Sequence, residues 1–264
     1  MPAYIEISYL DMAVASLLVL ANGLISVVLK LKLEKSLLVS AVRMVVQLLL
    51  IGTILKWVFS VDKWYVVMFI IGIMTFIAGM AAYNRNRFQY GGMRIDTLVS
   101  VWVSSWLVAI LGLVVVLQVQ PWYTPQYVIP IMGMILGNTL TGVSLGLDRI
   151  THELVQKREQ VEMLLSLGAT RWEAYKEPAQ NAVMAGMMPT INSMMVIGLV
   201  SLPGMMTGQI LAGQDPEQAI RYQIIVMFFL SAASSMGCVL VVAFVFKRLF
   251  SKSHTFMYWK LQEK

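Results

Sequence analysis

Charge is scarce in this chain. Asp, Glu, Lys and Arg make up 13% of its 264 residues, about half the share found in a soluble domain. With 58% hydrophobic residues and a mean hydropathy of +0.74, that scarcity excludes a soluble globular fold and implies a polytopic membrane protein. No segment is left over for a separate soluble domain, so a single domain over residues 1–264 is expected. The lone cysteine, Cys238, lies in an apolar run; a disulfide framework is excluded, and packing as a small apolar residue is its expected role. Only two histidines are present, His152 and His254, both in polar segments. No H-E-x-x-H occurs and no histidine lies in an apolar run, which argues against an intramembrane enzyme. No G-x-x-x-x-G-K-[ST] occurs either, so the chain cannot cradle ATP phosphates by a P-loop. The first twelve residues, MPAYIEISYLDM, lack the basic region of a cleaved leader, and the first apolar run is expected to be a retained span. The net charge of +6 is spread over loops and does not point to nucleic acid.

What is present is a series of apolar runs. A helix needs about 20 mostly apolar residues to cross the hydrocarbon layer. Seven runs qualify, near Tyr9–Leu29, Leu37–Phe59, Trp64–Tyr83, Thr97–Val119, Tyr127–Leu147, Met187–Leu211 and Ala219–Phe246. They are too long and uniformly apolar for barrel strands, so an all-α fold with seven transmembrane helices is expected. With the N-terminus outside, 16 of the 20 Lys and Arg residues fall on inner segments and three on outer ones, Arg43 lying within a span. That bias predicts N-out and C-in. Trp57, Trp64, Trp122 and Tyr123 then fall near the outer interface.

One stretch departs from the apolar background. Residues Asp148 to Glu177 hold 11 of the 34 charged residues. The fifth span should run on as a helix past Leu147, because Ile150, Leu154, Val161, Leu164 and Leu165 recur at helical spacing. Gly168 is placed to end that helix in a left-handed conformation. Thr170 and Glu173 form a T-x-x-E capping box for the next helix, and Pro178 should end it after about two turns. Trp172 and Tyr175 would share one face. A solvated connector between spans five and six is one reading of this loop, at about residues 148–178. A docking helix that fits a groove on a soluble partner is the other, and the elbow favours it.

The order Glu162, five residues, Gly168 resembles the cytoplasmic coupling loop of ABC-transporter permeases, although Met163 and Leu164 replace two alanines and the later Leu-Pro is missing. A wider set of segments resembles the FetB-type iron-export permeases, a family that includes plant proteins linked to aluminium tolerance. These are LSLGAT at Leu165–Thr170, MPTINS at Met188–Ser193, GLVSLPGMMTGQILAG at Gly198–Gly213, DPEQAIRYQI at Asp215–Ile224, VIPIMGMILGN at Val128–Asn138 and LKWVFSVD at Leu55–Asp62. The resemblance covers most of the chain. It implies one ABC-permease-type domain in the cell inner membrane, exporting iron or a related metal. It also implies a homodimer and a separate cytoplasmic ATPase that binds ATP-Mg, this chain holding no cofactor. Coupling to that ATPase would fall on Glu162, Leu167, Gly168, Ala169, Thr170, Arg171, Trp172 and Glu173.

Several polar or irregular features lie in the apolar runs. Arg43 and Gln47 share a face of span two, where an ionised residue is costly and a functional candidate; snorkelling of Arg43 to headgroups is the plainer reading, and pairing with a polar group on a neighbouring helix is a third. Span five carries Gly133, Gly137, Gly142 and Gly146 in two G-x-x-x-G pairs, a spacing that favours close helix packing, and Asn138 needs a partner. Pro203-Gly204 interrupts span six, and broken helices often border transport sites; Met205, Met206, Gly208 and Gln209 follow. The alternative there is a simple kink. Methionine is abundant, 20 residues, and clustered at Met184, Met187 and Met188, at Met194 and Met195, and at Met205 and Met206; thioethers suit Cu(I) better than iron, and filler packing is the plainer role. Asp11 and Asp96 are the nearest carboxylates to span ends, and no metal site is legible. A stand-alone secondary metal transporter or channel, or a scaffold that recruits a partner, are the competing functions; the first predicts inverted repeats or buried proton carriers, which are not apparent.

Overall fold

The computed structural model describes residues 8–263. The acidic start of the chain, on which the expectation of a retained first span partly rests, and Lys264, one of the 16 inner basic residues, lie outside them at positions 1–7 and 264. The chain divides into two compact units, one comprising the residues up to Asp62 with Leu211–Gly213, the other Lys63–Ile210 with the residues from Gln214 onward.

The first unit is a helical hairpin, α1 (Tyr9–Val28) and α2 (Glu34–Val61). Ser8 and Asp11 form a capping box at the start of α1. The Ser8 backbone N–H donates to Asp11 Oδ2 at 2.8 Å, so this carboxylate is spent on a helix end. In the turn, the Ser26 hydroxyl donates to Glu34 Oε2 and accepts from the Leu33 N–H, at 2.8 and 2.9 Å. Both helices are apolar on nearly every face, the pattern of helices that meet lipid.

The second unit is built on α3 (Trp64–Asn84), α4 (Met93–Ile110, extended by a π-helical turn to Val116), α5 (Pro125–Gln156), α6 (Arg158–Ser166), α7 (Arg171–Val196), α8 (Gly204–Leu211) and α9 (Pro216–Leu249). Two short strands, β1 (Phe88–Gln89) and β2 (Gln262–Glu263), pair antiparallel. α5 packs against both α7 and α9, α4 against α9, and α3 against α4 and α5. Glycines set the closest approaches. A side chain at Gly79 would strike Leu98 of α4, one at Gly112 the ring of Phe229, and one at Gly186 the Gly142 carbonyl. Close approach lets helices of low polarity gain dispersion contacts where lipid offers no hydrophobic driving force.

Among the described residues six helices, not seven, are long and apolar enough to cross a membrane: α1, α2, α3, α4 with its π-turn, α5 and α9. This is a multi-pass membrane protein, but the expected span Met187–Leu211 is not one helix. α7 ends at Val196, and the backbone turns at Gly198, with φ +83°. Leu199 and Val200 form the tip of that turn, and α8 starts only at Gly204. α7 itself is long enough but too polar, carrying Gln180, Asn181, Thr190, Asn192 and Ser193 besides its charged first turns. An even number of crossings returns a chain to its starting side, so N-out with C-in no longer follows. The expected coupling helix between spans five and six is likewise absent as a separate element. Arg171–Pro178 is the start of a 26-residue helix that runs through Pro178 and Pro189. Proline removes one intrahelical bond, but Pro178 is buried in a helix that packs along α5 and α9, and that packing outweighs the local cost.

Candidate docking surface

Several chain segments meet at one end of the second unit. α5 continues past its apolar stretch to Gln156, breaks at Lys157 and resumes as α6. Ile150, Leu154 and Val161 are buried as their spacing predicts. α6 ends in a glycine cap: Gly168 has φ +93°, its N–H donates to the Leu165 carbonyl, and the Ala169 N–H donates to the Leu164 carbonyl, at 3.1 and 3.0 Å. That left-handed residue turns the chain, and the Thr170–Glu173 box opens α7. The Thr170 N–H donates to Glu173 Oε2 at 2.7 Å, and the Glu173 N–H donates to the Thr170 hydroxyl at 3.3 Å. The Thr170 backbone N–H, then its hydroxyl, hold the Glu173 carboxyl below its ordinary value.

A lowered folded-state value means that the cap adds stability above the unfolded value of 4.5 and loses it as pH falls through the lower folded one. Losing such a capping side chain costs about 1 kcal/mol. Thermal melts should therefore separate Thr170→Ala from the parent at pH 7, and the gap should narrow in acid below pH ~4; an unchanged gap would show that Glu173 does not close the cap.

The elbow is apolar where it faces solvent. Leu167 is 78% exposed and Trp172 54%. Beneath, Tyr175 is fully buried, donates to the Val242 carbonyl at 2.7 Å, and packs against Phe246 and Phe250. Trp172 stands 6.4 Å from Tyr175 and 5.6 Å from Phe246, so its ring is braced while its outer face is free. Glu162 pairs with Arg158 at 2.8 Å on the outer side of α6, a helical i,i+4 pair of small energetic weight.

Two features escape a reading by sequence. Glu153 is 2% exposed. Its carboxylate lies 2.7 Å from Arg149 and 3.7 Å from Lys157, and it accepts from Asn181 of α7 at 3.2 Å. Lys157 also binds Glu177 at 2.7 Å, and that bond is the main cause of its raised pKa. Glu153 follows Ile150 by three and precedes Leu154, so its place on the buried face was the available signal. The second feature is the C-terminal segment. The Arg171 N–H donates to His254 Nδ1 at 2.9 Å and its guanidinium to the Ser251 carbonyl at 3.3 Å. Arg158 lies over the Tyr258 ring at 4.2 Å. The tail thus rests on both sides of the elbow.

The chain resembles known membrane proteins over nearly its whole length. A family model described as "Uncharacterised protein family (UPF0014)" matches residues 9–250. The chain belongs to the UPF0014 family. It is 38% identical to "UPF0014 membrane protein slr1647" of Synechocystis over 80% of this chain and 81% of that one. It is 33% identical to "Probable iron export permease protein FetB" of Escherichia coli over 96% of each. It is 30% identical to "Protein ALUMINUM SENSITIVE 3" of Arabidopsis thaliana, over 92% of this chain and 87% of that one. No solved structure matches. The UPF0014 match takes in the elbow and the helices from α1 to α9.

The other candidates of this UPF0014 member are dispersed. Arg43 and Gln47 lie on α2, in the first unit, lining a shallow groove of about 440 Å³ with Leu38, Val39, Val42 and Val46. Gly137 is exposed and has no neighbour near its missing side chain, whereas Gly142 and Gly146 pack against α7 and α9. Asn138 donates to the Met134 carbonyl at 3.0 Å, within its own helix. Pro203 precedes α8, where Met206 is buried, Met205 half-buried and Gly208 exposed. The Gln209 side-chain oxygen is buried without a hydrogen bond among the described residues. Met184, Met188 and Met195 follow one exposed face of α7, opposite Ala182, Gly186 and Thr190. Asp96 is not available to a metal, since it pairs with Arg248. Among the described residues no three His, Cys, Asp or Glu side chains are placed to hold a metal ion.

Proposed function

We propose that this chain is the membrane permease subunit of an ATP-driven metal exporter, with iron or a related metal as cargo. A separate ATPase, carrying ATP-Mg, docks on the elbow from Glu162 to Glu173. The observation that carries the reading is the pairing of two exposed apolar side chains, Leu167 and Trp172, on a glycine-capped turn braced from beneath. Exposed, pre-organised aromatic and aliphatic groups are what partner surfaces use as anchors, and order already present need not be gained on binding. Leu167, Gly168, Ala169, Thr170, Arg171, Trp172 and Glu173 are contiguous there, and Glu162 flanks them on α6. The relative with a printed role, the "probable iron export permease", supports transport of a metal rather than catalysis. A two-ATPase, two-permease assembly follows, hence a homodimer of this chain. Passage of the cargo is assigned to the α7–α8 region, with Pro203, Gly204, Met205, Met206, Gly208 and Gln209 at the helix break and Gly137 and Asn138 as further contributors.

The test co-expresses this chain with its ATPase and measures co-purification and iron efflux. Trp172→Ala and Leu167→Glu should each weaken association about 30-fold, the loss of one anchor residue, and slow efflux in parallel. Normal association and efflux in both variants would remove the docking surface. Efflux that persists without any ATPase would instead favour a stand-alone secondary transporter or channel.

A further inference from the structure

A cavity of about 550 Å³ opens beside the ends of α4 and α9, lined by Gln89, Tyr90, Arg248, Trp259, Lys260 and Gln262. That volume lies within the range of small-ligand sites. Its lining holds two cations and no carboxylate. The Arg248 guanidinium is fixed in place: it gives two hydrogen bonds of 3.0 Å to Asp96, whose side chain is buried. It also lies against Gly92, where a side chain would collide with it at 2.9 Å. Five donors are carried by a guanidinium and two are used here, so the rest face outward from a half-exposed side chain. The Lys260 ammonium has no ion-pair partner among the described residues.

The neutral groups are also donors without acceptors. Gln89 accepts from the Tyr83 hydroxyl through its oxygen, at 2.6 Å, and its buried amide nitrogen has no partner among the described residues. Tyr90 is 6% exposed. It lies beside Asp96, and burial first, then the charge of that carboxylate and a weak hydrogen bond to it, raise its pKa; within ordinary hydrogen-bond distance its hydroxyl has no partner among the described residues. Buried donors left unpaired are costly unless a ligand satisfies them. Four kinds of donor converging on one polar cavity specify a compact oxyanion. Depth in the membrane specifies its source. Arg248 is in the last turn of the apolar helix α9 and Asp96 in the first turn of α4, and the exposed Trp259 ring stands at the rim. That is the level of lipid headgroups, where tryptophan concentrates and basic pockets take anionic lipids.

We propose that this cavity binds the phosphate of an anionic lipid headgroup, with Arg248 and Lys260 as its charged partners and Gln89 and Tyr90 as neutral donors. The test uses the full-length protein in neutral detergent, titrated with phosphatidylglycerol, phosphatidylcholine or inorganic phosphate, with the thermal midpoint as readout. Phosphatidylglycerol should raise the midpoint saturably and phosphatidylcholine should not. Lys260→Ala should melt as the parent without lipid but need about tenfold more phosphatidylglycerol, the effect of losing one charge-assisted contact. Trp259→Leu should weaken the lipid response without touching any phosphate donor, and Lys252→Ala, a basic residue of the same tail outside the cavity, should behave as the parent. Equal responses to both lipids, or equal losses in Lys260→Ala and Lys252→Ala, would overturn the site. A response to inorganic phosphate as strong as to phosphatidylglycerol would overturn the lipid as its source.

Discussion

Gly186→Val should leave little folded protein, while Gly137→Ala should fold and melt at or slightly above the parent. Both glycines belong to helices of the same bundle, and their surroundings are opposite. A side-chain carbon at Gly186 would stand 2.6 Å from the Gly142 carbonyl oxygen and 2.5 Å from the Cys238 sulfur. Backbone cannot swing aside as a side chain can, so α7 would have to move off α5 and α9 together. Overpacking of this kind costs about 1–3 kcal/mol even in cores that can adjust. Here it strikes the junction of three helices, and the upper end or beyond is expected. At Gly137 no described atom beyond its own helical turn lies within 4 Å of the missing side chain, and alanine is the better helix former by about 1 kcal/mol. Detergent-solubilised yield and thermal midpoint measure both. A Gly186→Val protein that melts with the parent would show that α7 does not cross α5 at this point.

Glu153→Ala should be the most damaging polar change. The substitution removes the carboxylate shared by Arg149, Lys157 and Asn181, leaves Lys157 to Glu177, and strands the Asn181 amide at the α5–α7 contact. Breaking a buried pair costs about 3–5 kcal/mol when the remaining charge stays buried. Arg149 and Lys157 are one-third to one-half exposed and can regain water, so about 2–3 kcal/mol is expected. Glu153→Gln keeps the shape and an acceptor for Asn181, and should fall between. Raising the salt should screen the exposed Lys157–Glu177 pair but spare most of the Glu153 contribution. If Glu153→Ala costs no more than an exposed i,i+4 pair such as Arg158–Glu162, the buried network does not hold α7 to α5.

These two residues show where sequence stops being informative. The elbow was legible residue by residue, because glycine caps and T-x-x-E boxes are local devices whose geometry depends on neighbours three or four positions away. Gly142 and Gly146 were legible as packing glycines only in kind. The same spacing at Gly133 and Gly137 does not produce the same contact, since the partner that decides it is on another helix. Glu153 shows its buried face through its position beside Ile150 and Leu154, but not its partner Asn181, which lies on another helix. Arg248 with Asp96, 152 positions apart, and His254 with Arg171, 83 apart, carry no local signal.

Sequence alone determined the class, an all-α chain for the membrane, because burial of backbone polar groups in lipid leaves helices as the only spanning form for such long apolar runs. It also determined the turn at Gly168 and the helix start at Thr170. Tertiary structure decided the rest. It carried α7 through two prolines, because contacts with α5 and α9 outweigh two missing backbone bonds. It left residues 197–203 out of any helix and reduced seven expected spans to six. It also placed the C-terminal tail against the elbow. Each of these outcomes depends on which surfaces meet, and that is fixed by the packed helices together rather than by any one stretch of chain.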